Sequence, residues 1–122
     1  MEIKELRIGN YISPLGIGIT KVEGFCIWDN LIQSSNFAER GIEDFEPIPL
    51  TEEWLLKFGL KQSNLDIKRF YLLGTDLYFF NNKKIIFNPE SSSLYVELKY
   101  VHQLQNLYFS ITQTELEIKN HL

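Results

Sequence analysis

The chain predicts an α+β fold, and three features of its 122 residues carry that prediction. Short runs of alternating apolar residues, bent at glycines and separated by turn residues, fill positions 1–50, the pattern of small strands folding back on one another. Phe45 to Leu60 then marks a helix: Pro47 and Pro49 hold the backbone extended, Thr51 takes the cap position, Glu52 and Glu53 complement the helix dipole, and Gly59 supplies the stop. After Tyr100 the apolar spacing changes from two to three and four, the period of a helix laid on a sheet.

Taken in order, Leu6, Ile8 and Ile12 share one face of a first strand, which the turn Ser13-Pro14-Leu15-Gly16 ends. A second extended run, Ile17 to Trp28, carries Gly18 and Gly24, the mark of a bulge or sharp bend. Asp29-Asn30 turns the chain into a third strand, Leu31 to Gln33; Ser34 to Arg40 reads as a polar loop and Gly41 to Phe45 as a short fourth strand. Strands so short and so bent predict a small β-barrel of the SH3-like kind. The helix at 51–59 presents Trp54, Leu55 and Phe58 on one face. Lys61 to Asp66 reads as a polar connector into an antiparallel β-meander. Its strands are Ile67 to Leu73, Asp76 to Phe80, and a third region that the loop Asn88 to Ser92 divides. Beyond that loop, Leu94, Val96, Leu98 and Tyr100 alternate with Tyr95, Glu97 and Lys99, giving one buried and one wet face. Val101, Leu104, Tyr108 and Ile111 place a C-terminal helix at 101–111, and Thr112 to Leu116 offers a cap and a further turn. One domain is expected over 1–122: a β half at 1–50, a connecting helix at 51–59, and a meander-plus-helix half at 67–122.

Hydrophobic residues make up 44% of the chain, and nine Phe, six Tyr and two Trp give a core of large rings, which excludes a disordered chain. Cys26, the single cysteine, can neither staple the fold nor build a metal cluster. No run approaches the roughly 18 apolar residues of a membrane span. The opening Met-Glu-Ile-Lys-Glu-Leu-Arg alternates charge where a signal peptide carries an apolar stretch, so a cytoplasmic location without membrane attachment is expected. The net charge of -4 is uneven: residues 1–60 hold five basic and ten acidic side chains, residues 61–122 seven and six. The first half therefore repels phosphate backbones.

The inventory of reactive groups is thin. His102 and His121 form no His-x-x-x-His pair and no Cys-x-x-Cys exists, so neither metal nor cofactor is expected. Cys26 activated by His102 would make a thiol nucleophile, but a small apolar residue between Phe25 and Ile27 reads as inert packing. Glu43, Asp44, Glu46, Glu52 and Glu53 lack the glycine-centred loop of a calcium site and read as a solvated acidic face. Gly16-x-Gly18 lacks the third glycine of a phosphate-binding turn and reads as a hairpin. No catalytic residue is assigned.

Two groups of residues suit binding. Tyr11 and Trp28 lie near the turns of the β half, where aromatic rings line peptide grooves in barrels of this kind; the competing reading is that they close the barrel ends. Lys83 and Lys84, with Tyr78, Phe79 and Phe80 nearby, combine cations with stacking rings as single-stranded nucleic-acid binders do, although two lysines at a hairpin tip also serve solubility. In the second meander strand Leu77 and Phe79 oppose Tyr78 and Phe80, and one such face can seek a second copy of the chain.

The phrases Leu6-Arg7-Ile8-Gly9-Asn10-Tyr11, Ile48-Pro49-Leu50-Thr51-Glu52-Glu53-Trp54-Leu55-Leu56-Lys57-Phe58-Gly59 and Tyr100-Val101-His102-Gln103-Leu104-Gln105-Asn106-Leu107-Tyr108-Phe109 span nearly the whole chain. With them it resembles a family of small uncharacterised proteins of Bacteroides-type bacteria and their prophages. The resemblance implies a bacterial or phage origin and lends no catalytic residue to any position. Related chains tend to carry glycine after the final helix, where this one has Gln113.

The expected function is a non-enzymatic protein-interaction module of bacterial mobile-element or prophage origin, binding an unknown protein partner through Tyr11 and Trp28. The alternatives are single-stranded nucleic-acid binding through Lys83 and Lys84, and a small enzyme whose site is assembled from residues distant in sequence.

Overall fold

A computed structural model describes residues 1–16, 18–35, 37–62, 69–71, 78–81, 85–87 and 96–119. The chain divides into two compact units, each made of two stretches: Met1–Pro49 with Tyr100–Glu115, and Leu50–Lys99 with Leu116–Leu122.

In the first unit β1 (Tyr11–Pro14), β2 (Thr20–Cys26), β3 (Leu31–Ser34), β4 (Phe37–Gly41) and β5 (Phe45–Glu46) form an antiparallel sheet in the order β4-β3-β2-β1-β5. A 3-10 turn, Ile3–Glu5, precedes it and a second, Ile42–Asp44, links β4 to β5. Ile12, Val22 and Ile32, one from each of the three central strands, are fully buried and cluster with Leu6 and Phe45. Burial of each such side chain contributes about 1.5–3 kcal/mol, so this cluster is what holds the sheet in register. The β2–β3 register shifts between Val22 and Gly24, a bulge. A Cβ on Gly24 would stand 2.8 Å from Oε1 of the exposed Gln33, whose side chain would have to swing aside.

Helix α2 (Val101–Thr112) belongs to this unit, whereas its pattern in sequence set it beside the meander. Its apolar contribution is Val101 and Leu104, but its polar side chains fasten it to the N-terminal segment. The buried Gln105 amide donates to Gly9 O at 2.9 Å and its Oε1 accepts the Tyr11 N–H at 2.9 Å. Asn106 donates to Glu5 O at 2.8 Å and accepts from Asn10 Nδ2 at 2.9 Å. The helix ends at Gln113, whose φ of 60° lies in the left-handed region and whose N–H donates to Phe109 O.

The second unit holds α1 (Glu52–Lys57), then β6 (Lys61–Gln62), β7 (Arg69–Tyr71), β8 (Tyr78–Asn81), β9 (Ile85–Phe87) and β10 (Val96–Leu98), antiparallel in the order β10-β9-β8-β7-β6. Trp54, Leu55, Phe58 and Leu60 are buried, with the Trp54 and Phe58 rings 5.5 Å apart at 45°. Gly59, at φ +90°, ends the helix as its position in sequence predicts. Thr51 takes the extended cap conformation, yet its hydroxyl makes no capping hydrogen bond. Glu97 and Lys99 are exposed around a buried Leu98, the expected alternation.

Several expectations need correction. The sheet of residues 1–50 is not closed into a barrel: β5 is two residues long, stopped by Pro47 and Pro49, and among the described residues it pairs with β1 alone. Part of the supposed loop Ser34 to Arg40 is strand β4, whose exposed Glu39 and Arg40 are the polarity of a wet edge. Gly41 to Phe45 is not one strand: Gly41 ends β4, Ile42–Asp44 form a 3-10 turn and Phe45 opens β5; Ile42 and Phe45 stand three apart, so one tight turn directs both to the core. Lys61 and Gln62, placed in a connector, pair with Tyr71 and Phe70. After α2 no further helical turn forms within the described residues. Among them, too, no helix is long and apolar enough to cross a membrane.

Candidate functional site

The loop between β2 and β3 is Ile27-Trp28-Asp29-Asn30, and three contacts fix its shape. Asn30 takes φ 53°, a conformation asparagine tolerates, and its N–H donates to Ile27 O at 3.3 Å. Its carbonyl accepts the Ile42 N–H at 2.8 Å, tying the loop to the second 3-10 turn. Cys26 Sγ lies 3.4 Å from Asp29 Oδ2. On this constrained loop Trp28 is 95% exposed and Ile27 70% exposed, a large apolar surface that water meets at full cost.

Beside the loop lies a groove of about 470 Å³, lined by Met1, Ile3, Ile27 and Ile42 with Glu2, Lys4 and Asn30. The first 3-10 turn forms one wall. Glu5 shapes that turn, its N–H donating to Glu2 O at 3.0 Å and its Oε2 accepting the Glu2 N–H at 2.7 Å. The latter bond lowers the pKa of the Glu5 carboxyl below the usual carboxylate value.

Glu5 also faces His102, whose side chain is 1% exposed and stacks on Tyr100 with ring centroids 5.9 Å apart. His102 Nε2 stands 3.5 Å from Glu5 Oε1, too long for a good hydrogen bond, and neither ring nitrogen finds a partner among the described residues. Burial pushes the imidazole's pKa below its usual value, against the opposing pull of Glu5.

The structure separates the two rings singled out in sequence. Tyr11 is half-buried at the start of β1, opposite Lys21, while Trp28 lies beyond the far end of β2, about 16 Å of strand away. Lys83, Lys84 and His121 fall outside the described residues, as do the side chains of Leu77, Tyr78, Phe79 and Phe80. The acidic residues are dispersed: Asp44 pairs with Arg40 at 3.6 Å, Glu53 with Lys57 at 3.7 Å, and the Glu43 side chain lies over Gly41. Among the described residues no three His, Cys, Asp or Glu side chains gather as metal ligands would.

Sequence reasoning missed Ile27, the groove and the His102–Glu5 contact. Ile27 carried a signal, since two large apolar residues preceding Asp29-Asn30 fall within the turn itself. The groove joins residues from three separated stretches, and no local pattern announces it. No family model matches the chain, and neither a curated protein nor a solved structure is significantly similar to it.

Proposed function

We propose that this protein is a non-enzymatic interaction module that binds a protein partner through the loop bearing Ile27 and Trp28. One observation carries the reading: Trp28, a residue type whose large ring dominates binding interfaces, is 95% exposed on a loop whose backbone is tied by two hydrogen bonds. A loop whose backbone is already tied loses less entropy when a partner covers it. Tyr11, half-buried and distant from the loop, has no part in the same contact.

The accompanying fold reading is SH3-like in topology, with the sheet open. What supports it is the strand order β4-β3-β2-β1-β5 together with a 3-10 turn joining the last two strands. The bacterial or prophage setting follows from the sequence resemblance alone.

The test is Trp28→Ala. With so exposed a side chain, its thermal unfolding should match that of the wild type within about 0.5 kcal/mol. A partner identified with the wild-type protein, purified and added back, should no longer bind. Retained binding, or a large fall in Tm, would remove the reading.

A further inference from the structure

We infer that the occupant of the Trp28 loop and its groove is a cationic peptide segment of a partner protein, which lays a lysine or arginine on the Trp28 ring and an aliphatic side chain among Ile3, Ile27 and Ile42. The inference rests on the interaction-module reading and names the partner's chemistry.

The protein's own rings supply the first argument. Arg7 lies over the Phe109 ring with its Cζ 3.8 Å from the centroid, and Lys57 lies over Trp54 at 4.8 Å. Trp28 has neither a cation nor a ring over it among the described residues, although indole is the strongest of these cation acceptors. The second argument is charge. The stretches Met1–Pro49 and Tyr100–Glu115 carry nine acidic and four basic side chains. In the groove's lining Lys4 is engaged by Glu2 at 3.1 Å, and elsewhere in this unit Arg40 by Asp44 at 3.6 Å, whereas Asp29, next to Trp28, and Glu43, next to Ile42, face no cation among the described residues. A basic segment therefore meets a unit with an excess of carboxylates, two of which, adjacent in sequence to Trp28 and Ile42, face no cation among the described residues. A second copy of the chain would bring another first unit of net charge -5, nine acidic against four basic side chains, to the same surface, and an anionic membrane would be repelled by it.

The experiment uses the full-length chain as bait for a phage library of random dodecapeptides, in parallel with Trp28→Ala. Peptides enriched on the wild type alone should combine Lys or Arg with Leu, Ile or Val. A synthetic representative should bind more weakly as salt rises, and Asp29→Lys should weaken it about tenfold. Enrichment of acidic or uncharged peptides in a Trp28-dependent way would overturn the cationic class and leave the interaction module standing. The absence of any Trp28-dependent enrichment would overturn both. Light scattering that shows a dimer abolished by Trp28→Ala would make a second copy the occupant. Trp28-dependent sedimentation with phosphatidylcholine–phosphatidylglycerol vesicles would make it a membrane. Either result overturns the inference.

Discussion

Replacing His102 with leucine should stabilise the protein, because the imidazole is 1% exposed and holds two nitrogens without hydrogen-bond partners among the described residues. Leaving a buried donor unpaired costs roughly 1–3 kcal/mol. Against this, the substitution gives up the stack on Tyr100, worth roughly 0.5–1.5 kcal/mol, and a 3.5 Å contact with Glu5 that contributes little while the ring is neutral. The net expectation for His102→Leu is a gain of about 1 kcal/mol at pH 7.5, or about 3–5 °C in Tm for a chain of this size. The gain should widen on acidification. Burial depresses the His102 pKa in the folded state, so the unfolded chain takes up the proton first. The stability His102 contributes is thus fully present above its unfolded pKa and is lost as pH falls through its folded value, with a limiting slope of about 1.4 kcal/mol per pH unit. Urea unfolding of both proteins between pH 7.5 and 5 measures the difference directly and cancels the titrating groups that His102 does not touch, Glu5 excepted. A variant that is less stable by 1 kcal/mol or more at pH 7.5, or a difference that stays constant with pH, would refute the account of His102 as a buried, neutral and unsatisfied ring.

Two further substitutions test the framework around α2. Gln113→Gly should raise stability by about 0.5–1 kcal/mol in denaturant titration, since the left-handed φ of 60° costs a residue with a side chain about 1–2 kcal/mol and glycine's extra freedom when unfolded returns part of that. Asn10→Ala should cost about 2 kcal/mol, because the fully buried amide accepts the Arg7 N–H at 2.7 Å and donates to Asn106 at 2.9 Å, and a loss below 0.5 kcal/mol would show that this polar junction is dispensable.

Where backbone chemistry is local, the sequence was legible. Pro47 and Pro49 restrict their own dihedral angles, Thr51 takes the extended cap conformation, Gly59 tolerates the positive φ of a helix stop, and α1 lies between them. Gly24 marked the β2 bulge, since a glycine inside a strand pattern is a local sign of one. Elements governed by position in the sheet were not legible. β4 looks like a loop because an edge strand keeps Glu39 and Arg40 in water, and the second 3-10 turn was hidden in the three-residue spacing of Ile42 and Phe45. The assignment of α2 to the first unit rests on Gln105 and Asn106, polar residues that an apolar periodicity passes over. As for the candidate site, Trp28 stood out by its ring and its neighbouring turn, but aromatics at turns also close sheets from within. The loop that carries it is tied by the hydrogen bond between Ile42 and Asn30, a pairing across twelve positions that no local pattern announces.

The chain leaves the first unit at Pro49 and re-enters it at Tyr100, and those two residues form an isolated antiparallel bridge. Immediately inside it, the Leu50 N–H donates to Lys99 O at 2.9 Å, so the second unit clasps its own ends. Joining Pro49 to Tyr100 across a floppy excursion of this length would carry an entropic penalty on the order of 3 kcal/mol. If residues 50–99 acquire their structure first, that penalty has already been met, and α2 is delivered beside β1 ready to dock. On the ribosome the same order is natural, since the helix that completes the first sheet emerges only after the excursion has been synthesised.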